Sequence, residues 1–420
     1  MDYRSYLSDE SKNRQPSPIR ALAPFVARKG MISLGAGNPN PDTFPYESMQ
    51  LTLKTGQVIQ VDAEHFKKCL SYDLTSGFSP LNQWLKGLQQ VEHKPKVEFG
   101  LTIGVGSQDL ITKALQMFIN PGTPILVENP TYTGVLSFLK SQPCQLVGVS
   151  TDASGLMPDE LQRILQEWPI HEKPRPRILY VIPSGQNPSG VSASFERKQE
   201  IYSICQKYGI LILEDDPYYY LQFRKDRIPS YLSIDVDGRV LRFDSLSKIL
   251  SSGLRIGFAT GPQVLIDQIN IHSQSTNLQP SGISQLAAYE LLEKWGYDGF
   301  DAHVRKVSSF YEDKAKAFIE LLERHMKGYA EWDIPDSGMF VWMKLLGGIT
   351  DSKEVIMTKA TARNVVAVPG EAFLPNGGMT PYVRLSFSNV SYEEADEALR
   401  RLAIVIQEEA ALNGVTIENH

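Results

Sequence analysis

The sequence predicts an α/β protein: a large domain with a mostly parallel sheet between helices, then a smaller α+β domain. Three observations carry this. Six short apolar runs rich in β-branched residues recur at 124–127, 145–149, 177–182, 210–213, 240–243 and 256–259. Amphipathic segments such as 110–119 and 195–207 separate several of them. Near residue 310 the alternation stops and shorter, mixed elements follow.

Continuous apolar runs bounded by turn residues suit strands buried on both faces, as a covered parallel sheet requires. In 110–119, Leu110, Ile111, Ala114, Leu115 and Phe118 repeat at helical period, and Pro121-Gly122 ends the helix. The alternating block spans 48–310. The stretch 300–329 is long, charged and amphipathic, suited to a helix linking two domains. Beyond it, 339–344, 365–368 and 382–387 read as strands, and 352–362 and 392–411 as helices. The expected division is an arm over 1–47, a large domain over 48–310 and a small domain over 311–420.

Composition narrows the function. A chain of 420 residues allows two or three domains. Hydrophobic residues at 42% and charged residues at 21% are globular values and exclude disorder and fibres. The net charge of −6, with no Lys/Arg block, argues against nucleic acid or an anionic membrane as partner. No apolar run reaches the roughly 20 residues that span a bilayer. Cys69, Cys144 and Cys205 form no CxxC pair, so neither a disulfide scaffold nor a metal site is expected. Asp2, Asp9 and Glu10, with no apolar stretch beside them, speak against a secretory signal. They also weaken a mitochondrial transit peptide. The cytoplasm is the expected compartment, with the mitochondrial matrix as the alternative.

In open α/β sheets, ligands bind beyond the C-terminal ends of strands, so the polar residues after each apolar run deserve inspection. Gly104-Val105-Gly106-Ser107-Gln108 precedes a helix and is either an anion site at a helix N-terminus or an ordinary capped turn. Ser184-Gly185-Gln186-Asn187-Pro188-Ser189-Gly190 places a side-chain amide after the run at 177–182. Glu214-Asp215-Asp216 at a strand end lacks His or Cys and EF-hand spacing; one carboxylate could instead keep a heterocyclic nitrogen protonated. Ser245-Leu246-Ser247-Lys248, followed by Gly253-Leu254-Arg255-Ile256-Gly257, suits a Schiff-base amine beside an anion site. Ser245-x-x-Lys248 also matches a β-lactamase pattern, but no Ser-Asp-Asn exists and the only Lys-Thr-Gly, at 54–56, lies upstream.

Together these segments resemble the fold-type-I aminotransferases dependent on pyridoxal 5'-phosphate (PLP). Asn187 stands 61 residues before Lys248 and Asp215 stands 33 before it, in keeping with that family. The stretches 16–20 (PSPIR), 214–223 (EDDPYYYLQF) and 243–258 (FDSLSKILSSGLRIGF) are most similar to the kynurenine/2-aminoadipate branch. Fungal aromatic aminotransferases look similar over 5–20.

The resemblance implies a role for each residue. Lys248 holds the cofactor aldehyde as a Schiff base and then moves the substrate proton. Asp215 keeps the pyridine nitrogen protonated, and Asn187 and Tyr218 hydrogen-bond the phenolic oxygen. Tyr132 stacks on the ring. Gly106, Ser107, Gln108, Ser245, Ser247 and Arg255 hold the phosphate. Arg384 binds the substrate α-carboxylate beside Asn187, and Arg20 a distal carboxylate. Gly37 and Tyr72 match further substrate positions; Tyr72 would reach the neighbouring subunit, which implies a homodimer. The arm over 1–47 contributes to the site and to the small domain.

The implied activity is ping-pong transamination of 2-aminoadipate, kynurenine or aromatic amino acids with a 2-oxo acid such as 2-oxoglutarate. Asn38 departs from the apolar residue of kynurenine-using relatives, and a buried amide there would favour polar or dicarboxylic substrates. Two alternatives stand beside this reading: a PLP-dependent lyase or synthase on the same fold, and a PLP-binding regulatory module. For the module's winged helix, residues 1–30 are too short and not basic.

Overall fold

The computed structural model describes residues 1–416 except 20, 21, 23, 24, 26, 27, 33 and 36. In chain order its strands are β1 (Gln50–Thr52), β2 (Val58–Gln60), β3 (Gly100–Val105), β4 (Pro124–Asn129), β5 (Gln145–Asp152), β6 (Gly155–Leu156) and β7 (Ile178–Val181). There follow β8 (Leu211–Asp215), β9 (Val240–Ser245), β10 (Ile256–Gly261), β11 (Ala330–Trp332), β12 (Phe340–Leu345), β13 (Val368–Pro369) and β14 (Tyr382–Ser386). The main helices are α1 (Asp9–Asn13), α2 (Ala63–Cys69), α3 (Ser79–Glu92), α4 (Ser107–Gln116) and α5 (Thr133–Leu139). After these come α6 (Pro158–Gln166), α7 (Phe195–Tyr208), α8 (Gln263–Gln274), α9 (Gly282–His325) and α10 (Tyr392–Leu412). All six apolar runs are strands.

The chain divides into two compact units. One comprises Met1–Thr123, Leu211–Pro217 and Ser230–Ala302. Its larger strands lie in the order β3-β10-β9-β8, with β8 and β9 parallel and β10 antiparallel to both its neighbours. The antiparallel strand was not expected from the alternation. Only 246–255 separates β9 from β10, too short for the helical crossover a parallel return needs. β3 was also missed, because Gly100 and Gly104 interrupt its apolar run although five of its six residues are buried.

The second unit comprises Pro124–Ile210, Tyr218–Pro229 and His303–His420. It holds β7-β4-β5-β6, with β4 parallel to both neighbours and β6 antiparallel to β5. It also holds an antiparallel sheet in the order β11-β12-β14-β13. Val341, Met343, Leu345, Val383 and Leu385 point from this sheet into a core with Leu399, Leu402, Val405 and Ile406 of α10. Ser391 starts α10 with a capping box: its side chain accepts from Glu394 N while Glu394 accepts from Ser391 N, a pairing worth about 1 kcal/mol.

Two expectations in this region change. The strand at 365–368 is reduced and shifted to a two-residue edge, Val368–Pro369, paired with Arg384 and Val383. The helix at 352–362 is a succession of short turns of differing pitch, Ser352–Glu354, Val355–Ala360 and Thr361–Arg363. The charged helix begins earlier than its charge pattern, at Gly282, and is interrupted at Gly296. Among the described residues no helix is long and apolar enough to cross a membrane.

Candidate active site

In the first unit, strand register brings the predicted cofactor residues to one edge. Gly257 on β10 pairs with Gly104 on β3 and with Ser245 on β9, while Phe243 on β9 pairs with Asp215 on β8. The Gly106 turn, Arg255, the Ser245–Lys248 segment and Asp215 therefore leave the strands on the same side. Gly106 precedes α4 and no side chain caps that helix, so Ser107 and Gln108 open it with the dipole's positive end outward. A Cβ at Gly257 would lie 2.2 Å from Ser107 N, which explains the glycine of the Arg255-x-Gly257 motif. Arg255 is left-handed at φ 53°, an uncommon state for a side-chain-bearing residue, and its guanidinium reaches Val105 O and Ser252 O at 3.4 Å each. Ser245 Oγ accepts from Ser247 N at 3.2 Å, and Lys248 closes the 3-10 turn that follows.

Asp215 is 3% exposed at the end of β8. Its two acidic neighbours face a fully buried arginine instead. Arg242 lies 3.2 Å from Glu214, 2.9 Å from Asp216 and 2.8 Å from Asp244. The EDD triplet thus splits by strand alternation. Burial pushes the Asp244 carboxyl up to about 6 despite the pull of Arg242.

In the second unit, Asn187, Arg384, Tyr132 and Tyr218 come together. Arg384 on β14 faces away from the core, on the side of Trp342 and Tyr382. Its Nη1 donates to Asn187 Oδ1 at 2.9 Å. A guanidinium has only donors, so this contact fixes the amide orientation and leaves Asn187 Nδ2 pointing elsewhere as a donor. The Arg384 guanidinium lies 4.3 Å over the Phe340 ring and 5.2 Å from Phe373. Burial lowers its pKa, opposed by Tyr218 and Tyr132 nearby. Among the described residues no carboxylate pairs with it. Phe340 and Phe373 escaped sequence reasoning because an apolar strand shows which faces alternate, not which ring meets which cation.

Gly37 and Asn38 are exposed, so the burial expected for the Asn38 amide is not found among the described residues. Tyr72 is 55% exposed. Arg20 lies outside the described residues. A groove of about 530 Å³ runs between β14 and α10, lined by Val365, Leu385, Ala395 and Leu399. It touches Arg384 but none of Asn187, Tyr132 and Tyr218, and carries no predicted chemistry.

The family model for aminotransferases of class I and II matches residues 29–402. The chain belongs to this family. The aminotransferase is 41% identical to the mitochondrial kynurenine/alpha-aminoadipate aminotransferase of Rattus norvegicus, over 97% of this chain and 100% of that protein. The crystal structure of aminotransferase Aro8 from Candida albicans matches with a TM-score of 0.89 at 27% identity, covering 98% of this chain and 99% of that one. A kynurenine aminotransferase from Pyrococcus horikoshii, solved in complex with PMP, KYN and KYA, matches at a TM-score of 0.76 and 30% identity, covering 97% and 98%. The aminotransferase has the fold-type-I architecture, and its activity is transfer of an amino group to a 2-oxo acid.

Proposed function

We propose that this aminotransferase uses PLP to transaminate 2-aminoadipate, kynurenine or aromatic amino acids with a 2-oxo acid such as 2-oxoglutarate, by a ping-pong cycle. The observation that carries it is Arg384, a cation held by Asn187 and two aromatic rings with no protein carboxylate beside it among the described residues. A bidentate carboxylate suits that guanidinium, and both the amino acid and the 2-oxo acid bring one.

The residues of the first unit fit PLP. A helix N-terminus, Ser245, Ser247 and Arg255 suit a phosphate; a buried carboxylate suits a ring nitrogen; Lys248 suits an aldehyde. The tight approach of Gly257 to Ser107 keeps open a cradle that a side chain would fill.

When bound, PLP supplies an electron sink for charge developing at the substrate Cα. Lys248 is the amine that holds the cofactor and the base that moves the Cα proton. Asp215 keeps a proton on the ring nitrogen. Asn187 and the Tyr218 hydroxyl would hold the phenolic oxygen by hydrogen bonds, and Tyr132 would cover the ring. Arg384 holds the α-carboxylate through both halves of the cycle. Gly106, Ser107 and Gln108 receive the phosphate.

Arg20 and Gly37 are assigned to the substrate side chain, and the exposed Tyr72 to the site of a second copy in a homodimer. The division into a domain over 48–310 and one over 311–420 belongs to the same reading. The cytoplasm is the compartment proposed, with the mitochondrial matrix as the alternative. The test is a donor panel against 2-oxoglutarate, comparing kcat/KM for 2-aminoadipate, kynurenine, phenylalanine and glutamate. Activity confined to a small aliphatic donor overturns the substrate assignment.

A further inference from the structure

Asn187 sits in a loop that is tied down on both sides, and each tie runs to another segment of the second unit. On one side stands Gln186, 2% exposed. Its Nε2 donates to Pro130 O at 2.8 Å and to Glu128 Oε2 at 3.3 Å, while its Oε1 accepts from Ser189 N at 2.8 Å. The same Glu128 oxygen accepts from Ile182 N at 3.0 Å, at the end of β7. Pro130 is two residues before Tyr132, so this tie joins the Asn187 loop to the Tyr132 segment.

On the other side stands Ser192. Its hydroxyl accepts from Gly185 N at 3.0 Å, donates to Asp336 Oδ1 at 2.7 Å and lies 2.7 Å from the buried Ser337 Oγ. A hydroxyl has one donor and two acceptor sites, so Ser192 can serve all three contacts when Ser337 Oγ donates to it. Asp336 forms an ion pair with Arg224, its carbonyl accepts from Phe223 N at 2.9 Å, and Gly338 N donates to Leu221 O at 3.1 Å. That second tie joins the loop to the segments carrying Tyr218 and Phe340. Gly190, at φ 74°, completes the closure: a Cβ there would lie 2.3 Å from Phe340 O.

We infer that Gln186 and Ser192 are positioning residues that fix the Asn187 amide and, through it, the Arg384 guanidinium. The terminal torsion of an asparagine has broad wells, so its orientation must come from its surroundings. Here one end of the amide is set by Arg384 and its backbone by the two ties. The inference rests on the reading that Asn187 faces the cofactor and Arg384 the substrate carboxylate.

The test compares holoenzymes of Gln186→Met, Ser192→Ala, Ser192→Thr and Asn187→Ala. Three quantities are read: the pH midpoint of the bound cofactor's visible absorbance, KM for the amino and 2-oxo acids apart from kcat, and thermal stability. Gln186→Met and Ser192→Ala are expected to raise the midpoint in the direction set by Asn187→Ala. They should also raise both KM values roughly 5- to 50-fold, as expected for a weakened buried hydrogen bond to a charged group. Ser192→Thr, which keeps the hydroxyl, should recover most of both. Variants that lose thermal stability while midpoint and both KM values stay within about twofold overturn the inference. If Gln186→Met does not fold, the two Ser192 variants decide it alone. An Asn187→Ala holoenzyme unchanged in both midpoint and KM overturns the reading of the site itself. A shift in Asn187→Ala that the tie variants do not share overturns the positioning role alone.

Discussion

Arg384 Nη1 donates to Asn187 Oδ1 over 2.9 Å, joining positions 197 residues apart in the chain. The contact anchors one corner of a guanidinium that lies over the Phe340 ring at 4.3 Å and the Phe373 ring at 5.2 Å. What remains is the edge that a carboxylate would occupy. Removing one partner of a desolvated charge pair costs about 2–5 kcal/mol. Arg384→Ala should therefore lower kcat/KM roughly 30- to 4,000-fold for every donor and acceptor alike. Arg384→Lys should recover little, because an ammonium lacks the planar fork. Steady-state kinetics on an amino acid and a 2-oxo acid check this; a loss confined to one substrate contradicts it.

Lys248→Ala should abolish turnover while the protein stays folded, since the residue is only half-buried and ends a three-residue 3-10 turn rather than a core strand or helix. The cofactor's absorbance should lose its dependence on Lys248, and borohydride should no longer fix the cofactor covalently to the chain. Full transamination in this variant would falsify the assignment.

Arg255→Ala addresses the phosphate. Hydrogen bonds to charged groups contribute about 1.5–3 kcal/mol each. The dissociation constant for PLP, measured by titrating apoenzyme, should rise roughly 10- to 150-fold. Competition by inorganic phosphate should weaken in parallel. An unchanged constant would place the phosphate elsewhere.

His272 supplies a stability prediction. Its Nε2 lies 2.8 Å from Ser11 Oγ, where α1 docks on α8, and burial with help from Arg14 lowers its pKa to about 4. A histidine whose folded pKa is depressed binds fewer protons in the native state than in the unfolded one. Its contribution is complete above the unfolded value near 6.5 and is lost as pH falls through about 4. Allowing for partial solvent screening, the loss is about 1–2 kcal/mol. Urea unfolding at pH 7.5 and pH 4.5 should show a smaller decline for His272→Gln than for the parent. Equal slopes would refute it.

The Lys248, Arg255 and Asp215 motifs were legible because each is a local pattern: a short polar string placed just after an apolar run. The same holds for the six strands, whose burial is continuous along the chain. β3 was not legible, since its glycines dilute the apolar signal. The reversed direction of β10 follows from the length of the loop before it, which is readable only once both strand ends are known. Phe340 and Phe373 read as ordinary core residues until strand register set Phe340 and Arg384 on one face.

Local chemistry along the chain thus determined the fold class and the family and pointed to the reactive groups proposed, because periodicity and motif spacing are properties of neighbouring residues. Tertiary structure alone decided which way the Asn187 amide turns, what covers Arg384, and how Gln186 and Ser192 hold their loop. Several of those contacts are long-range, spanning 56 positions from Gln186 to Pro130 and 197 from Arg384 to Asn187. They exist only after strand pairing has set the register, and no local pattern encodes their geometry.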